Sequence, residues 1–184
     1  MTSPLRRIAV FCASRPGIDD ALMKAAYDAG NWLARNDIGL VYGGGGSGLM
    51  GAVSSGALDA GGEVIGVIPQ SMIDREWGRH DLTRLDVVQT MHERKASMAD
   101  HADAFLCLPG GLGTLEEIFE VWTWRTLGYH DKPVGFLDTG GFWQPMLEVL
   151  RAMVANDFVH EATLKDIVVE ETMDAAVAGL AERV

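Results

Sequence analysis

The residues best placed to do chemistry lie in Pro109-Gly110-Gly111-Leu112-Gly113-Thr114-Leu115-Glu116-Glu117, directly after the apolar run Ala104 to Leu108 and directly before a segment of helical period. Glycines remove the side chains that would keep a phosphate from the backbone. The first N–H groups of the following helix then point at the anion with the positive end of the helix dipole. Thr114 can add a hydroxyl. The loop is neither Gly-x-Gly-x-x-Gly nor a Walker loop, because no Lys-Ser/Thr follows its glycines, and this disfavours a nucleoside triphosphatase. Thr114-x-x-Glu117 also has capping-box spacing, and by itself the pair reads as a helix cap. Three glycines and a proline in five residues exceed what a cap needs, so the loop itself is read as a ligand site.

A second glycine-rich turn, Gly43-Gly44-Gly45-Gly46-Ser47-Gly48, also follows an apolar run and opens a helix. Gly44 and Gly45 are candidates to flank the same ligand from the other side, and Ser14, after the first apolar run, could supply a further hydroxyl. The third constellation is Met91-His92-Glu93-Arg94-Lys95 at the head of a short helix. Arg94 could place a bidentate guanidinium on a phosphate, or on a carboxylate that it orients. His92-Glu93 is not a zinc motif, since Ala96 stands where the second histidine would be. The other histidines are scattered, and no metal site is expected.

The elements that must position these residues follow from the hydrophobic pattern. Apolar runs at Ile8 to Cys12, Gly39 to Tyr42, Glu63 to Val67, Ala104 to Leu108 and Val134 to Leu137 read as buried strands of a parallel sheet. Helical-period segments alternate with them: Leu22 to Leu33, Leu49 to Ala57, Leu115 to Trp122, Trp143 to Val154 and Thr172 to Arg183. The expectation is α/β: a single Rossmann-like, doubly wound domain over 1–184, with a mostly parallel sheet and helices on both faces. Ligand sites in such folds lie outside the carboxyl ends of the strands, where both glycine-rich turns fall. Gln70 to Leu85 is polar and aperiodic and reads as a long loop or short irregular helix beside the site.

The bulk numbers narrow the function. A net charge of -11 argues against a nucleic-acid or anionic-membrane partner, while leaving a small phosphate ligand open. Cys12 and Cys107 sit in apolar runs and read as buried free thiols. The apolar stretch after Arg7 is too short for a signal sequence or a membrane span, so a cytoplasmic location is expected.

With these motifs in view, the chain resembles the Lonely Guy family of cytokinin riboside 5'-monophosphate phosphoribohydrolases, often mislabelled lysine decarboxylases. The family motif Pro-Gly-Gly-x-Gly-Thr-x-x-Glu falls on Pro109, Gly110, Gly111, Gly113, Thr114 and Glu117, and Met-His-x-Arg-Lys falls on Met91, His92, Arg94 and Lys95. The resemblance implies Arg94 and Glu117 as the catalytic pair, the glycine-threonine loop as the phosphate site, Met91 and Lys95 as substrate contacts, and a further acidic residue at Glu76. It implies hydrolysis of an N6-substituted or plain adenosine 5'-monophosphate to free base and ribose 5-phosphate, with no cofactor and no metal. It further implies a homodimer, to which the aromatic residues Phe119, Trp122, Trp124 and Tyr129 would contribute. The competing expectation is a non-catalytic binder or carrier of a nucleotide-like ligand on the same fold.

Overall fold

The computed structural model describes residues 5–75 and 77–184. Strands β1 (Arg7–Phe11), β2 (Gly39–Tyr42), β3 (Val64–Pro69), β4 (Arg84–Val88), β5 (Ala104–Cys107), β6 (Val134–Leu137) and β7 (Val168–Glu170) form a seven-stranded sheet in the order β4-β3-β2-β1-β5-β6-β7. Every neighbouring pair is parallel. The helices are α1 (Asp20–Arg35), α2 (Gly48–Asp59), α3 (Gln70–Ile73), α4 (Met91–His101), α5 (Leu112–Thr126), α6 (Gln144–Ala155), α7 (Glu161–Asp166) and α8 (Met173–Ala181).

Successive strand residues point to opposite faces, so a sheet covered on both sides needs apolar residues at every position. In β1, Ile8 and Val10 enter one core with Ala29 and Leu33 of α1, Val53 of α2 and Leu180 of α8. Ala9 and Phe11 enter the other, with Met98 of α4, Ile118 and Trp122 of α5, and Leu147 of α6. The strand order reverses direction between β1 and β5, and the loops leaving their carboxyl ends diverge to opposite sides of the sheet. That divergence opens a crevice at the carboxyl ends of these two strands.

Two strands and a helix depart from the sequence reading. Within the polar stretch after β3, α3 is short and irregular as expected, but Arg84–Val88 is an edge strand. An edge strand is only half covered, and Val87 is exposed, so its apolar residues never form the continuous run of a central strand. β7 closes the other edge with three residues, and α7 precedes it. Cys12 and Cys107 are buried free thiols. No helix among the described residues is long and apolar enough to cross a membrane.

Candidate active site

The site is assembled around Arg94. Helix α4 starts with a capping box: Thr90 Oγ1 accepts from Glu93 N–H at 3.1 Å, and Glu93 Oε2 accepts from the backbone N–H groups of Gln89 and Thr90. This fixes the first turn and aims Arg94 down onto the strand ends. Its guanidinium donates from Nε to the Val67 carbonyl at 3.0 Å, from Nη2 to the Gly43 carbonyl at 3.3 Å, and from Nη1 to Glu117 Oε1 at 2.7 Å. The side chains of Arg94 and Glu117 are 8% and 11% exposed. A buried charge needs partners of this kind, and here β3, the turn that follows β2 and a second helix supply them.

Burial pushes the Glu117 carboxyl above its ordinary range, while Arg94, by charge and by hydrogen bond, pulls it back. Burial, together with the charge of Glu117, also pushes both cysteine thiols up, so neither is a ready thiolate. Thr114 does not cap α5 with Glu117. The helix begins at Leu112 with Gly111 at its N-cap, and no side-chain hydrogen bond caps it. That register places Thr114 inside the first turn and Glu117 beyond it, where the carboxylate meets Arg94.

The two glycine-rich turns differ in what their missing side chains make room for. At Gly43 a Cβ would collide with Arg94 Nη2 and lie 3.1 Å from Met50 Sδ. Gly44 has φ of +75°, and its backbone accepts from Arg79 N–H at 2.9 Å, while Gly45 bridges to Gly78. By contrast, a Cβ at Gly111 or Gly113 would have no described atom within 4 Å. Gly110 is pressed against Thr114, whose own side chain is buried.

These parts border a cleft of 870 Å³, within the range of small-molecule sites. Ser14, Gly45, Met91, Arg94, Pro109, Gly110, Gly111, Gly113, Thr114 and Glu117 all line it. Gly44 and Lys95 do not: Gly44 faces Ile68 and Leu85, and Lys95 is paired with Glu116 and Glu120 of α5. Glu76 lies outside the described residues. Sequence reasoning missed the apolar walls, which include Met50, Ile68, Met72, Trp77, Leu112 and Phe142. Scattered along the chain, they have no spacing that marks them as a set. No group of three or more metal-capable side chains occurs among the described residues.

Fold and cleft together define a Rossmann-like α/β protein with a small-molecule site at its switch point and a buried arginine–carboxylate pair beside an uncapped helix start. Residues 50–180 match the family described as possible lysine decarboxylase. The chain belongs to that family, the one that contains the Lonely Guy phosphoribohydrolases. It is 45% identical over 180 residues to a cytokinin riboside 5'-monophosphate phosphoribohydrolase of Arabidopsis thaliana, covering 98% of this chain and 84% of the relative. An enzyme of the same description from Rhodococcoides fascians is 42% identical over 176 residues, covering 95% and 89%. Among solved structures, TM1055 aligns with a TM-score of 0.74 at 24% identity, covering 97% of this chain and 99% of that one. The molybdenum cofactor carrier protein of Chlamydomonas reinhardtii aligns with a TM-score of 0.70 at 22% identity, covering 96% of each chain, and at that identity the likeness is one of fold.

The residues do not fit the chemistry in the family's description. A pyridoxal phosphate decarboxylase needs a lysine amine in the site to form a Schiff base, and no lysine lines the cleft. Lys24 and Lys165 pair with Asp28 and Glu161 at the surface, Lys132 donates to the Ala99 carbonyl, and Lys95 is held by two carboxylates.

Proposed function

We propose that this chain hydrolyses the N-glycosidic bond of an adenine-type nucleoside 5'-monophosphate, N6-substituted or plain, releasing the base and ribose 5-phosphate. The observation that carries the proposal is the buried Arg94–Glu117 pair, set in a cleft one helical turn from the open, uncapped start of α5. The 5'-phosphate sits at Gly110 to Thr114, receiving the first N–H groups of α5. The ribose then reaches Glu117, with Ser14 and Gly45 on the opposite wall.

Glu117, as carboxylate, stabilises the oxocarbenium-like ribosyl centre and takes a proton from the attacking water. The water oxygen bonds to C1', the C1'–N bond breaks with its electron pair going to the base, and the base takes up a proton. Arg94 holds the carboxylate in place and opposes the effect of burial on its charge. The pair favours an enzyme over a passive carrier, because binding alone has no need of a buried carboxylate facing the sugar. Homologues at 42–46% identity that carry the phosphoribohydrolase description support the same reading.

The decisive experiment pairs Glu117→Gln with the wild type on a panel of nucleotides, detecting released base. The amide keeps the shape and a hydrogen bond to Arg94 while losing the charge. Turnover should fall on the order of 10²-fold or more, with the melting temperature and ribose 5-phosphate affinity near wild type. Near-normal turnover would falsify the mechanism. Nucleosides lacking the phosphate should be much poorer substrates than their monophosphates. The same reading takes 1–184 as one nucleotide-binding domain acting in the cytoplasm as a homodimer. Of the four aromatics named for the interface, Trp122 is buried within the protomer, Phe119 and Trp124 are partly buried, and Tyr129 is the exposed one that a partner could cover. A sedimentation profile of monomer alone at micromolar concentration would remove the dimer.

A further inference from the structure

Beside the reacting pair runs a second ion-pair network that the reaction above does not use. Lys95 follows Arg94 on α4, and one residue turns a side chain by about 100° around a helix. Arg94 therefore reaches the strand ends, whereas Lys95 reaches across to α5. Its ammonium pairs with Glu116 and lies 2.9 Å from Glu120 Oε2, and its side chain is 7% exposed. Glu116 and Glu120, four residues apart, share one face of α5, and Glu117 is the next residue round the helix.

Resting on the proposed reading of the site, we propose that Lys95 is a positioning residue for the reaction. It ties the acidic face of α5 to α4 and offsets the charge of Glu116 and Glu120, so that Glu117 faces the ribosyl centre as a carboxylate. It does not hold the substrate phosphate. To reach a ligand in the cleft, which it does not line, the ammonium would have to break both of its ion pairs.

The groups that act on Glu117 define the balance. Burial is the largest influence and favours the neutral acid, and Glu116 on the same helix acts in that direction. Arg94 and Lys95, both on α4, oppose it. Among the described residues the charge of Glu117 also acts on the thiols of Cys12, after β1, and Cys107, in β5, both pushed far above their ordinary value. Lys95 itself stays charged, because Glu116 and Glu120 more than offset the effect of its burial. Removing its charge deprives Glu116 and Glu120 of the ammonium that pairs with both.

The test is turnover of adenosine 5'-monophosphate against pH in Lys95→Met, Lys95→Arg, Glu116→Gln and Glu120→Gln. In Lys95→Met the acid limb should move upward by about one pH unit, while inhibition by ribose 5-phosphate stays within about twofold of wild type. Lys95→Arg should restore the limb. Glu116→Gln should move it downward, because a negative neighbour is gone. A Lys95→Met enzyme with an unmoved limb and inhibition weakened about tenfold would assign the lysine to phosphate and overturn the proposal. Should Lys95→Met not fold, an unmoved limb in both glutamine variants overturns it equally. If the wild type hydrolyses no nucleotide, the functional reading has failed. Carbon-13 titration of the Glu117 carboxyl in the same variants then still decides the role of Lys95 on its own.

Discussion

The turns Gly43 to Gly48 and Pro109 to Thr114 look alike in sequence: each is glycine-rich, follows a buried strand and opens a helix. In the fold both border the cleft, but their missing side chains make room for different things. The first packs against the protein itself, with Gly43 making room for the Arg94 guanidinium and Gly44 and Gly45 receiving the backbone of Gly78 and Arg79. The second faces outward, and the Cβ positions of Gly111 and Gly113 open onto the cleft. An absent side chain can accommodate a protein's own buried guanidinium as readily as a ligand, so glycine density alone does not locate a phosphate.

This contrast is breakable by substitution. Gly43→Ala should have the largest effect, because the new methyl displaces Arg94 from both Gly43 and Glu117. Turnover should drop on the order of 10²-fold, with about 1–3 kcal/mol lost from stability in denaturant titration. An active, stable Gly43→Ala protein would mean that the first turn is not closed on Arg94. Gly113→Ala should separate the two properties in the opposite way. Stability should hold or rise by up to about 1 kcal/mol, since alanine favours a helix, while ribose 5-phosphate binding measured by calorimetry should weaken about tenfold. Unchanged affinity would remove the second turn from the phosphate site.

Smaller effects test the helix starts. Thr90→Ala takes away the cap of α4 and should cost about 1 kcal/mol. Thr114→Ala removes no cap and should leave the start of α5 formed, as amide exchange in that turn would report. The smallest effect is a pH dependence of stability. The Glu117 carboxyl is raised in the folded protein from its usual value of 4.5. Its contribution is therefore fully present below that value and lost as pH rises through the raised one. The melting temperature of wild type minus that of Glu117→Gln should accordingly fall as pH is taken from 4 towards 7, and a difference that grows over that range would contradict the burial of the carboxylate.

Legibility in the sequence followed burial. The central strands β2, β5 and β6 are covered on both faces and could be read from their apolar runs alone. The edges β4 and β7, half-covered or only three residues long, could not. The pairing of Arg94 with Glu117 came from the family resemblance, since spacing alone gave Glu117 as part of a cap, and their meeting at 2.7 Å follows from α4 and α5 packing on one face of the sheet. Thr114-x-x-Glu117 has the capping-box spacing, but α5 begins two residues before Thr114, and the box forms at Thr90 and Glu93 instead. The carbonyls of Val67 and Gly43 that seat Arg94 are main-chain groups, and no side-chain pattern encodes them.

The bare start of α5 also has a thermodynamic consequence. Donors that a serine or aspartate would have occupied are left to water, so the native chain gives up stability that its own residues could have provided. An anion bound there returns it, and because only the folded chain presents those donors together, the ligand draws the folding equilibrium towards itself by mass action. At a ligand concentration one hundred times its dissociation constant this linkage is worth about 2.7 kcal/mol. With the phosphate site proposed above, the protein's resistance to heat should rise with the amount of phosphorylated sugar around it.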